Sequence, residues 1–134
     1  MGADDAVRGC AMRARGRGPA GVGAPGADVY LMTCVLHRYN DESSLRILRN
    51  VRRAMVLDSR LLLIEVVLPN RVDRPDSEIE KLRMSDLNML AVTGGRERSE
   101  HEWHALLASV GLDRLRILPV PGQTASIVEA ACCG

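Results

Sequence analysis

Three side chains in this sequence have the types and settings that move protons between a substrate and a protein. His37 lies just beyond a short β-branched and aromatic run at residues 28–32, and ahead of Asn40 and Asp41, either of which suits a helix cap. In an open α/β sheet that position is the carboxyl end of a strand, where ligands bind. Glu65 interrupts the aliphatic run 60–68 near its carboxyl end. A carboxylate inside such a run carries a desolvation cost, which predicts a partner for it. Glu97 follows Gly94 and Gly95 in a loop before the last helix. An imidazole beside two carboxylates is a general-base set: the ring takes a proton, and the acids fix its tautomer and stabilise imidazolium. Spacing alone leaves a second reading open, that of a loop histidine and two solvated glutamates.

Other spacings are weaker. Residues 16–21 satisfy G-x-G-x-x-G, but a dinucleotide loop requires a strand before it and a helix after it. Here alanines and arginines precede, and Pro19 sits inside the motif. His101 and His104 stand i, i+3 within H-E-W-H, one residue short of the zinc-protease spacing and without a third ligand, so no metal site is expected.

The elements that must position the three residues follow from the pattern. Residues 28–32 read as a strand. Asn40 or Asp41 opens a helix with acids in its first turn and an apolar face at Leu48, Val51 and Met55. The run 60–68 is too short and too uniformly apolar for a surface helix and suits a parallel strand covered on both faces. Strand, helix and strand make one βαβ unit. Ser77 and Glu80 form a capping box that starts a helix running to Gly94. Ser99 and Glu102 start another, with Trp103, Leu106, Leu107 and Val110 at i, i+3, i+4, i+7. Residues 115–120 and 124–130 flank Pro121 and Gly122 as an antiparallel hairpin. The expected order is β-α-β-α-α-β-β, a partial Rossmann-like α/β sheet with helices on both faces.

Composition narrows the function classes. The chain has 134 residues, is 46% hydrophobic and 26% charged, and carries a net charge of +1, a balance that gives no support for nucleic-acid or membrane attraction. No apolar run approaches the roughly 20 residues of a membrane span. Residues 1–26 hold seven of the 12 glycines, six alanines and four arginines, without periodicity. They are expected to be a disordered tail, and residues 27–134 the folded domain. The start lacks an apolar export signal, and none of the four cysteines forms C-x-x-C, so a cytoplasmic location with reduced thiols is expected.

Five blocks, in order, carry a resemblance: Gly26-Ala-Asp-Val-Tyr-Leu-Met, Val35-Leu-His-Arg-Tyr-Asn-Asp-Glu, Ile47-Leu-Arg-Asn-Val-Arg, Arg60-Leu-Leu-Leu-Ile-Glu, and Asp86-Leu-Asn-Met-Leu followed by Gly94-Gly-Arg-Glu-Arg-Ser-Glu. Over residues 26–130 the chain resembles the C-terminal part of the S-adenosylmethionine-dependent O-methyltransferases of the caffeate/hydroxyindole type. The resemblance implies a class I methyltransferase sheet, S-adenosyl-L-methionine as cofactor and a small-molecule hydroxyl acceptor, aromatic or natural-product-like. It implies His37 as catalytic base with Glu65 and Glu97 flanking it, and Met89 and Arg38 on the substrate side. Arg38 stands where the family has an acid. Thr33 replaces the family lysine near the cofactor. The family's glycine-rich cofactor loop and N-terminal dimerisation domain have no counterpart here. Two expectations follow: an enzyme or enzyme fragment that methylates a hydroxyl, or a remnant or accessory domain that folds without transferring anything. In either case the strand edge that would meet the cofactor half is expected to lie open, favouring self-pairing or pairing with a missing N-terminal half.

Overall fold

The computed structural model describes residues 13–15, 26–69 and 77–132. The chain passes through strand β1 (Arg13–Arg15), β2 (Val29–Thr33), a single 3-10 turn (Leu36–Arg38) and helix α1 (Asp41–Ala54). It continues through β3 (Arg60–Leu68), α2 (Ser77–Thr93), β4 (Arg98–Ser99), α3 (Glu100–Ala108), β5 (Leu112–Pro119) and β6 (Ala125–Cys132). One sheet of order β1-β2-β3-β6-β5 results, with β4 beside the end of β3. β2 and β3 are parallel and joined by α1, while β6 lies antiparallel to both β3 and β5. This is the mixed α/β sheet expected from the sequence.

One face of the sheet carries the packed core. Tyr30 and Met32 of β2 stand beside Leu61 and Leu63 of β3, and Val128 and Ala130 of β6 continue the row. Ile47, Leu48 and Val51 of α1 and Trp103, Leu106 and Leu107 of α3 are buried against that face. Leu62, Ile64 and Val66, which alternate to the other face of β3, are only half-buried.

The helix ends obey their local chemistry. Asn40 caps α1 by accepting from the Ser43 amide at 2.9 Å, and Asp41 and Glu42 occupy the positive end of the dipole while Arg52 and Arg53 sit at the other. Ser99 and Glu102 form a reciprocal capping box: the Glu102 amide donates to Ser99 Oγ at 3.2 Å, and the Ser99 amide donates to Glu102 Oε2 at 2.9 Å.

Three features depart from the sequence reading. Arg13–Arg15, within the segment expected to be a tail, pairs antiparallel with β2 through Arg13↔Leu31, Ala14↔Tyr30 and Arg15↔Val29. The edge of β2 is therefore not open, because these three backbone units supply the ladder hydrogen bonds; the rest of residues 1–25, including the G-x-G-x-x-G spacing, lies outside the described residues. The connection carrying His37 winds into a 3-10 turn, an element of three residues and hence too short to leave a periodic signal. Directly after Glu97, the chain makes a brief parallel bridge to β3 through Val67↔Arg98 and Leu68↔Ser99. Among the described residues no helix is long and apolar enough to cross a membrane, and Cys34 and Cys132 carry free thiols.

Candidate active site

The turn bearing His37 is shaped by what happens at the end of β2. Cys34 adopts a positive φ of 52°, the left-handed region that non-glycine residues seldom occupy, at a cost on the order of 1 kcal/mol. Its amide still bonds to the Ile64 carbonyl of β3 at 2.9 Å, so the reversal happens directly at the sheet's edge. Beyond it, the amides of Val35 and Leu36 turn inward and donate to Glu65 Oε1 at 3.0 and 2.9 Å. Glu65 is fully buried, so the partner its desolvation demanded is a pair of backbone N–H groups.

His37 then faces both acids. Its Nδ1 lies 3.1 Å from Glu97 Oε1 and 3.9 Å from Glu65 Oε2. A carboxylate accepts and does not donate, so the proton in the short contact is on Nδ1, which leaves the Nε2 lone pair as the acceptor. The ring is 14% exposed, so part of it reaches solvent. The Glu97 amide donates to Asp86 Oδ1 of α2 at 2.7 Å, which anchors the loop that presents Glu97.

The electrostatics follow from this geometry. The hydrogen bond to Glu97 raises the His37 pKa above the ordinary imidazole value, burial opposes it, and the charge of Glu65 adds to the rise; Arg38 pulls the other way. Glu65 is pushed up by its burial, against the lowering influence of His37 and the two amides. The Cys34 thiol is also raised, by burial first and then by Glu65 and Glu97, which makes it a poor nucleophile.

Because folding raises the pKa of His37, its contribution is complete below the unfolded value of about 6.5 and is lost as pH climbs through the higher folded value. Melting temperature should fall as pH rises above about 6.5 in the native chain. His37→Gln should remove that part of the slope; equal slopes in both proteins would contradict the assignment.

Gly95 makes a close approach that no larger residue permits. A Cβ there would overlap the His37 carbonyl oxygen and come within 2.5 Å of the Arg38 carbonyl carbon, both fixed backbone atoms. Gly95→Ala should therefore destabilise the fold by about 1–3 kcal/mol, the usual cost of overpacking. It should also shift the His37 ring resonances, and thermal melts with imidazole spectra check both.

The remaining sequence candidates fall at different distances from this cluster. Arg38 closes the 3-10 turn and is exposed; Thr33 ends β2 and is exposed; Met89 lies on α2, but its side chain is outside the described residues. His101 and His104 are exposed on α3. Sequence reasoning missed Asp86, Gly95 and Arg98. Arg98 is 1% exposed and gathers five hydrogen bonds, yet in Arg96-Glu97-Arg98 it reads as one charge of a solvated loop.

One atom from each of His37, Glu65 and Glu97 lies within 4.8 Å of the others, close enough for a small cation. Glu65 Oε1 is taken by two amides and Glu97 Oε1 by the ring, an arrangement that favours proton handling. For a nucleoside cofactor the described residues supply less. Thr33 and Cys34 form the carboxyl end of β2, but the neighbour on that edge is antiparallel β1, with no parallel strand and glycine loop among the described residues to cradle a nucleoside. The cofactor cradle of a class I methyltransferase is not met by them.

Comparison with known proteins agrees with the fold and the order of the blocks. The family model for the O-methyltransferase domain matches residues 21–113. The chain is 44% identical over 107 residues to the O-demethylpuromycin O-methyltransferase of Streptomyces alboniger, covering 79% of this chain and 28% of that one. Among solved structures, mitomycin 7-O-methyltransferase superposes with a TM-score of 0.70 at 41% identity, over 82% of this chain and 31% of that one. Human N-acetylserotonin methyltransferase, solved in complex with S-adenosylmethionine, gives 0.72 at 26% identity, over 84% and 31%. The chain thus spans under a third of the length of these relatives. With those matches, the chain belongs to the O-methyltransferase domain family.

Proposed function

We propose that this chain is the proton-abstracting part of an O-methyltransferase that acts on a hydroxyl of a small aromatic or natural-product-like acceptor, with His37 as general base. The observation that carries the reading is the His37 ring held at 3.1 Å by Glu97 and facing Glu65 at 3.9 Å. A half-buried imidazole with its Nδ1 proton fixed has Nε2 available to take a hydroxyl proton. Glu97 and Glu65 then stabilise the imidazolium as charge develops, in a site where partial burial strengthens the attraction. S-adenosyl-L-methionine, with which human N-acetylserotonin methyltransferase was solved, would supply the methyl group. Within this chain, the residues described do the work at the acceptor end: they orient the ring, exclude water from its Glu-facing side and hold the proton. Exposed Arg38 beside the base supports an acceptor with an acidic or electron-rich substituent near the reacting hydroxyl.

A graft tests this reading. Residues 26–132 replace the matching segment of the Streptomyces alboniger enzyme, and methyl transfer to that enzyme's own acceptor and to hydroxylated aromatics is assayed. Turnover by the chimera supports the reading. A chimera that folds and binds S-adenosylmethionine, yet transfers nothing to any acceptor, supports a non-catalytic domain.

A further inference from the structure

Among the described residues Arg98 is a buried cation, at 1% exposure, and its bonds are not scattered. Nη1 donates to the Leu36 carbonyl at 3.1 Å and Nη2 to the Tyr39 carbonyl at 3.1 Å, the acceptors one residue before and two residues after His37. Nε and Nη2 donate to Asp41 Oδ1 at 3.1 and 2.9 Å, and Nη2 to Ser44 Oγ at 3.2 Å, in the first turn of α1. The guanidinium also lies 5.4 Å above the Trp103 ring of α3. A planar fork of five donors suits this convergence of carbonyls and carboxylate, and a lysine ammonium does not reach the same set.

We propose that Arg98 is a positioning residue for the His37 base, gripping the carbonyl side of its turn as Glu65 grips the amide side. The proposal rests on the reading of His37 as base. Its structural logic is that adjacent residues divide the task. Glu97 holds the ring through Nδ1, and Arg98, carried on the β4 bridge to β3, holds the backbone on which the ring is mounted. Without the fork, the Leu36 and Tyr39 carbonyls lose their charged donor, the turn relaxes, and Glu97 and the ring no longer meet at hydrogen-bond distance. A general base displaced by about 1 Å loses much of its effect.

The test is the titration of the His37 imidazole by NMR in the full chain, needing neither cofactor nor acceptor. Arg98→Lys keeps the charge and removes the fork. The expected result is a His37 pKa that falls toward the ordinary value of about 6.5 as the Glu97 contact loosens. Leu107→Ala, a buried deletion on α3 away from the turn, should lower the melting temperature and leave the His37 titration unmoved. A folded Arg98→Lys protein with the native His37 pKa overturns the proposal and leaves Arg98 a stabilising residue only. Should Arg98→Lys fail to fold, Asp41→Asn decides: Asp41 is 57% exposed, its loss weakens the fork without burying a defect, and an unchanged His37 titration there overturns the proposal equally. Methyl transfer that survives His37→Gln in the chimera would instead sink the base reading, and the two failures are told apart by which protein shows them.

Discussion

His37→Gln should cut methyl transfer by the grafted enzyme about 10²–10⁴-fold, the usual weight of a general base. Glutamine retains a donor near the position of Nδ1 and can keep the Glu97 contact, so the fold and the acceptor site should survive; what it lacks is a basic nitrogen to take the hydroxyl proton. The loss should appear in kcat, with KM for the acceptor little changed, because the missing interaction forms only as the proton moves. In the parent chimera kcat should rise with pH through a pKa above the ordinary imidazole value, since only the neutral ring accepts and Glu97 holds that ring protonated longer. A variant with undiminished turnover would take His37 out of the chemistry altogether.

The largest effect on stability should come from Glu65→Ala. Glu65 is fully buried, and its Oε1 accepts from both the Val35 and Leu36 amides. Removing the carboxylate strands two buried donors, each costing about 1–3 kcal/mol, and leaves a cavity besides. A loss on the order of 3–5 kcal/mol is expected, a large share of a small domain's stability. Glu65→Gln keeps an acceptor oxygen for the two amides and sheds a charge that burial already disfavours, so it should retain most of the stability while weakening the support for imidazolium. Chemical denaturation of the two variants separates these roles: equal losses would show that the backbone amides are not what the carboxylate serves.

Much of the scaffold was legible in the residues, and for physical reasons. The aliphatic run of β3 announced a buried parallel strand, and the Ser99-x-x-Glu102 box announced α3, because each is a local pattern that requires no distant partner. Glu65 stood out because a carboxylate in that run had to be satisfied. What was not legible depends on contacts remote in sequence. Arg98 meets Leu36 and Tyr39 about sixty residues upstream, and nothing local distinguishes it from half-buried Arg96. The strand at Arg13–Arg15 has no hydrophobic alternation, since its place is set by backbone pairing with β2. On α2, Met84, Leu87, Leu90 and Val92 are exposed; a capping box and a glycine stop mark where that helix runs but not which of its sides is covered.

One imidazole held by two acids is the centre of the proposed site, and its titration in the native chain and in Glu97→Gln tests that most directly. The His37 pKa should lie above the ordinary 6.5 in the native protein and drop in the variant, because the hydrogen bond to Glu97 is the principal cause of the rise. A native value at or below the ordinary one, or one indifferent to the loss of the Glu97 charge, would contradict it.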